Sequence, residues 1–181
     1  FIGGIDVTFR RIMKRAALTD AEIDSVAKEC DAGKDPDRIL NYQEVMSLKQ
    51  KFIGNKKLMG FIRKHSEEAY PKAIGYLRQE GLLDDVNYAL VDSGWVGTLQ
   101  QTIRHLTQKE RIDGFYFGLY EIPKDENPGM YHGFYFDPLR GLDRKSYFSN
   151  CLFEAVFTAP EGMTVGYECQ NERYIPITDM E

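Results

Sequence analysis

Nine consecutive residues, Asp92-Ser93-Gly94-Trp95-Val96-Gly97-Thr98-Leu99-Gln100, gather side chains that can do chemistry. The Asp92 carboxylate could coordinate a cation, orient a sugar hydroxyl or act as a base, which makes it the candidate catalytic residue. Trp95 could stack on a sugar or a nucleobase. Ser93, Thr98 and Gln100 add polar groups, and Thr98 can begin a helix. Gly94 and Gly97 tolerate positive φ and let a backbone approach a ligand closely. A structural alternative uses the same residues. In it Asp92 and Ser93 form an Asx-type turn, the glycines make a tight corner and Trp95 packs into the core. The stretch lacks the third glycine of the dinucleotide fingerprint and the Gly-Lys-Ser/Thr ending of a Walker loop, so neither NAD nor ATP is indicated.

The elements around this stretch decide what it can reach. Residues 86–91 (VNYALV) read as a β-strand, and residues 98–106 restore helical spacing through Leu99, Thr102, Ile103 and Leu106. Residues 112–120 (IDGFYFGLY) read as a second strand. Strand, helix and strand in this order predict a βαβ unit with parallel pairing. In open α/β sheets, ligands bind at the carboxyl ends of strands, where helix amino termini present N–H groups suited to an anion. The predicted turn at residues 92–100 sits there. Glu121 follows the second strand and could point into the same crevice, although a strand-end carboxylate is commonly just solvated.

Further along, residues 131–136 (YHGFYF) predict another strand and residues 146–158 an amphipathic helix. Residues 164–169 and 173–177 flank Gln170-Asn171-Glu172 as a β-hairpin. The aromatics of residues 115–120 and 131–136 could line a carbohydrate groove; burial of adjacent strands on both faces is the alternative expectation. His65, His105 and His132 show no metal-ligand spacing, so no metal site is expected.

Residues 1–80 read as helical. Ile5, Phe9, Ile12, Met13 and Ala16 mark one buried face. Thr19 and Glu22 fit a capping box for a second helix, carried by Ile23, Val26, Ala27 and Cys30 and stopped by Gly33. Asp35-Pro36 predicts the start of a third helix bearing Ile39, Leu40, Met46 and Leu48. A fourth is expected over residues 56–63. A fifth, capped near Ser66, ends at Gly81, with Pro71 shifting or kinking it. The expected organisation is a helical segment over residues 1–80 and a Rossmann-like α/β domain over residues 81–181, with a mainly parallel sheet and a C-terminal hairpin.

Composition narrows the class of protein. The 181 residues are 43% apolar and 13% aromatic, too rich in large apolar side chains for a disordered chain. Acidic residues number 28 against 23 basic, for a net charge of −5, which argues against a general nucleic-acid binder. No run approaches the roughly 20 apolar residues of a bilayer span. Cys30, Cys151 and Cys169 form no CxxC pair, so a reducing cytoplasm is the expected compartment. The opening Phe1-Ile2-Gly3-Gly4 reads as the cut edge of a longer chain.

The segment Asp92-Ser93-Gly94-Trp95-Val96-Gly97-Thr98-Leu99-Gln100 resembles the D-x-G-W-x-G-[ST]-x-Q segment of large bacterial haloacid-dehalogenase-like hydrolases encoded in surface-polysaccharide loci. Phe153-Glu154-Ala155 with Ala159-Pro160-Glu161-Gly162-Met163-Thr164-Val165-Gly166-Tyr167 is similar to that family's E-x-x-x-x-A-P-x-G-x-x-x-G-Y stretch, which adds Glu154 to the candidate binding residues. The resemblance spans about residues 66–177. It implies a role in polysaccharide biosynthesis, and Mg²⁺-assisted phosphoester chemistry in the parent protein. That chemistry depends on a D-x-D-x-[TV] loop, and none occurs in this chain. The resemblance therefore implies the portion that follows a hydrolase domain, with that N-terminal domain as partner.

The expected function is binding of a sugar phosphate, nucleotide sugar or similar ligand at residues 92–100. The alternative is a non-catalytic interaction module that docks a hydrolase or glycosyltransferase domain. A self-sufficient phosphatase is least supported.

Overall fold

The computed structural model describes residues 7–30, 32–33, 35–157 and 160–179. Expectations for Phe1-Ile2-Gly3-Gly4, Ile5, Thr158 and Ala159 lie outside the described residues. The chain divides into two units, Phe1–Pro71 and Lys72–Glu181.

Local capping determines the helix starts of the first unit. Helix α1 (Phe9–Arg15) is opened by Thr8, whose side chain accepts from the Arg11 amide at 3.1 Å. Helix α2 (Asp20–Ala27) has the expected capping box. The Thr19 hydroxyl accepts from the Glu22 amide, and Glu22 accepts in return from the Thr19 amide at 2.8 Å. The helix ends at Ala27, ahead of Gly33.

The third helix starts later than Asp35-Pro36. The Arg10 amide donates to the Pro36 carbonyl at 3.0 Å and the Leu40 amide to the Val7 carbonyl at 2.8 Å, which holds the intervening backbone against the start of α1. Helix α3 (Tyr42–Gly54) begins at a second capping box, between Asn41 and Glu44. Helix α4 (Lys56–Gln79) is continuous; the separate helices expected over residues 56–63 and after Ser66 are one, with Pro71 inside it. The core of the first unit gathers Phe9, Met13, Leu18, Ile23, Val26, Leu48 and Leu58, all buried.

The second unit is mixed α/β. Strands β1 (Ala89–Asp92), β2 (Asp113–Gly118) and β3 (Tyr131–Phe136) form a parallel sheet in the order β1-β2-β3. Helix α5 (Thr98–Thr107) links β1 to β2. The β2 to β3 connection contains only a short 3-10 turn, Pro128–Met130. Another 3-10 turn, Asp143–Tyr147, precedes helix α6 (Asn150–Phe157). Strands β4 (Thr164–Gln170) and β5 (Arg173–Thr178) pair antiparallel as the expected hairpin. Its turn residues Asn171 and Glu172 both take positive φ, the geometry of a type I′ connection. The hairpin is fastened to α4: Gln79 exchanges two hydrogen bonds with the Tyr174 backbone, and the Tyr76 and Tyr167 rings stack at 4.5 Å.

The two faces of the sheet differ. On one, Gly114 and Tyr116 face α5, and Tyr116, Leu119, Met130 and Tyr131 form a buried core. On the other, Val91 is 89% exposed, Phe115 48% and Phe134 77%. Burial of the aromatic strands is complete on the α5 face and partial on the other, where Phe117 packs on Phe148 at 5.1 Å and on Phe153 of α6 at 4.7 Å while Val91, Phe115 and Phe134 stay exposed. Among the described residues, no helix is long and apolar enough to cross a membrane.

Candidate ligand-binding turn

Asp92 is the last residue of β1, and the chain turns immediately after it. Its Oδ1 accepts from the Gly94 amide at 2.7 Å, closing the Asx-type turn. Ser93 is exposed at the tip. The turn is pinned to the segment just past β2, where the Tyr120 amide donates to the Trp95 carbonyl at 2.8 Å.

Trp95 is half-buried among aromatic rings, with Phe148 at 5.3 Å, Phe153 at 5.6 Å and Tyr120 at 6.1 Å between centroids. Its indole N–H donates to Glu154 Oε1 at 2.5 Å. The Tyr120 hydroxyl donates to Asn150 Oδ1 at 2.7 Å. Helix α6 is therefore tied to the turn through Glu154 at its middle, and to the segment after β2 through Asn150 at its start, with the Phe153 ring between the two bonds. The expected stacking residue and the expected Glu154 are brought together, with Glu154 acting on the indole.

Gly97 opens α5 with φ of 64°, and a Cβ there would lie 2.6 Å from the Tyr131 ring. Both the left-handed backbone and the close ring require glycine. No side chain caps the helix. The first amides of a helix have no partner within it and carry its positive end, so the start of α5 is suited to an anion. Thr98 is exposed there.

Gln100 faces inward. It is 1% exposed, and its amide nitrogen donates to the Ile112 and Met130 carbonyls at 2.8 and 2.9 Å. Its Oε1 accepts from the Tyr116 hydroxyl at 2.6 Å. Burial first, then the nearby Asp92 charge, pushes the Tyr116 phenol above its ordinary range, so it remains a donor. Gln100 thus joins α5, β2 and the entry to β3, and its side chain is not presented to the turn. Glu121 is exposed, and no hydrogen bond or ion pair joins it to Asp92 among the described residues.

Glu126 carries no sequence signal, because it lies in a polar turn beside Asn127-Pro128. Its side chain is nonetheless 2% exposed and bound by Arg104 at 2.6 Å and the Tyr131 hydroxyl at 3.1 Å. Burial opposes its charge, yet Arg104, Tyr131 and Gln101 together hold the carboxyl below the usual range. This network fixes the β2 to β3 loop against α5.

Among the described residues, no group of three or more His, Cys, Asp or Glu side chains is placed to hold a metal ion. The described residues therefore do not fit the Mg²⁺ that the family resemblance implies for the parent protein. No protein-family model matches the chain, and no curated protein matches it.

Proposed function

We propose that the second unit is a Rossmann-like ligand-binding module of a haloacid-dehalogenase-like hydrolase. It takes a phosphorylated or sugar-containing ligand, such as a sugar phosphate or nucleotide sugar of surface-polysaccharide biosynthesis, at the turn from β1 into α5. The observation that carries this reading is the start of α5. A left-handed Gly97 without a side-chain cap puts the first helix amides, with the exposed Ser93 and Thr98, at the carboxyl end of a parallel strand. With a chain charge of −5, attraction for an anion has to come from such local amides more than from a basic surface. Trp95 supplies an aromatic edge to the same turn, and Asp92 can accept from a sugar hydroxyl through the oxygen not engaged by Gly94. Cys30, Cys151 and Cys169 form no disulfide, which suits a cytoplasmic setting.

Calorimetric titration of the chain with glucose 1-phosphate and with uridine diphosphate glucose tests this reading. Thr98→Glu adds a carboxylate that favours the helix start but repels an anion, so it should abolish binding while the fold persists. Binding that survives both Thr98→Glu and Asp92→Ala would overturn the site.

A second reading, docking of a hydrolase or glycosyltransferase domain, has its own observation. Leu152, Val156 and Phe157 of α6 are 67%, 67% and 64% exposed, an apolar helix face such as partner domains cover.

A further inference from the structure

Beside β3 lies a cavity of about 490 Å³, apart from the turn at residues 92–100. Its volume falls in the range of small-molecule sites. Phe115, Phe134 and Leu139 are 48%, 77% and 62% exposed and give it an apolar wall. His132 lines it too, stacked on Phe115 at 4.9 Å between centroids. Its Nε2 is 2.7 Å from Asp113 Oδ1, and Asp113 is clasped by Arg111 through two bonds of 2.7 and 2.6 Å. The His132 ring is thereby fixed, and the Asp113 charge is balanced by a guanidinium.

The rim holds a cation prepared in a different way. Asp137, 3% exposed, accepts from the Leu139 and Arg140 amides at 2.9 and 2.8 Å and from Arg140 Nε at 2.6 Å. Burial works against the Asp137 charge, but Arg140 and the two amides hold its carboxyl below the usual range. Among the described residues the Arg140 guanidinium is held through Nε alone, on a side chain 64% exposed, so its two outer nitrogens can meet an anion bidentately.

From this juxtaposition we propose a second binding site for a small ligand that carries a planar ring and one carboxylate or phosphate group. The ring packs on Phe134, Leu139 and the Phe115–His132 pair, and the anion pairs with Arg140. Guanidinium chemistry accepts either anion, so the test uses both.

The experiment is an amide NMR titration of the whole chain with four probes: phenyl phosphate, benzoate, inorganic phosphate and benzyl alcohol. The expected result is perturbation of residues 132–140 by one or both ring-bearing anions, with inorganic phosphate and benzyl alcohol at least tenfold weaker. Arg140→Gln should weaken binding at least tenfold, and Phe134→Ala severalfold with an unchanged melting temperature. If Arg140→Gln disturbs the loop around Asp137, the probe panel and Phe134→Ala still decide the matter. The site is overturned if no probe perturbs residues 132–140 at millimolar concentration, or if inorganic phosphate binds as well as phenyl phosphate. Shifts confined to residues 97–101 would also overturn it, and would belong to the turn at the start of α5.

Discussion

The indole N–H of Trp95 donates to the carboxylate of Glu154, joining the turn after β1 to helix α6 across 59 residues of chain. With the Tyr120 to Asn150 bond it makes α6 a part of the turn's support. Glu154→Ala should therefore cost about 1 kcal/mol, while Glu154→Gln, which keeps an acceptor, should cost less. Denaturation in urea followed by the emission of Trp95, the single tryptophan, measures both. Equal effects of the two substitutions would show that the bond contributes nothing.

Gln100 is the buried joint of the second unit. Gln100→Leu leaves the Tyr116 hydroxyl and the Ile112 and Met130 carbonyls without their partner, and should destabilise by about 2–4 kcal/mol. The midpoint of chemical denaturation checks this. A loss below about 1 kcal/mol would mean that these groups find other partners.

At Gly97 the backbone is left-handed and the Tyr131 ring is close. Gly97→Ala should cost about 2–4 kcal/mol through strain and displacement of the ring. The expected signature is a lower melting temperature together with changed tyrosine absorbance, and a variant as stable as the parent would contradict the geometry.

In the first unit, Glu22 accepts from the Thr19 amide and hydroxyl and meets His65 at 2.8 Å. The Thr19 amide bond first, then His65, lowers its carboxyl to about 2 from the ordinary 4.5. A carboxyl lowered on folding stabilises fully above its unfolded value and loses that contribution as pH falls through its folded value. The difference in melting temperature between the parent chain and Glu22→Gln should thus shrink as the pH falls from about 4.5 to about 2. A difference independent of pH across that window would contradict the pairing.

How far the chain could be read in advance follows from the range of each interaction. The Thr19 to Glu22 capping box, strand β3 and the hairpin around Asn171 are local patterns, and their residues carry them openly. The late start of α3 was hidden. Its cause is partly local, the Asn41 to Glu44 box, but also the distant pairing of Leu40 with Val7. At the turn, residue types pointed to Asp92, Gly97 and Trp95. They could not show that Gln100 faces inward toward Tyr116, because that depends on β2 crossing beneath α5. Glu126 was invisible for the same reason: a carboxylate in a polar turn reads as solvated until Arg104 and Tyr131 close around it. The partly open sheet face was equally hidden, since alternating aromatics look alike whether one face or both are covered.

In the proposed function an anion-bearing sugar ligand sits at the start of α5. Its most direct test is the amide spectrum of the chain during titration with glucose 1-phosphate. Saturable shifts are expected at Ser93, Gly94 and the amides of residues 97–100, and none in Thr98→Glu. A spectrum unchanged at those amides up to millimolar ligand, or the same shifts in Thr98→Glu, would contradict it.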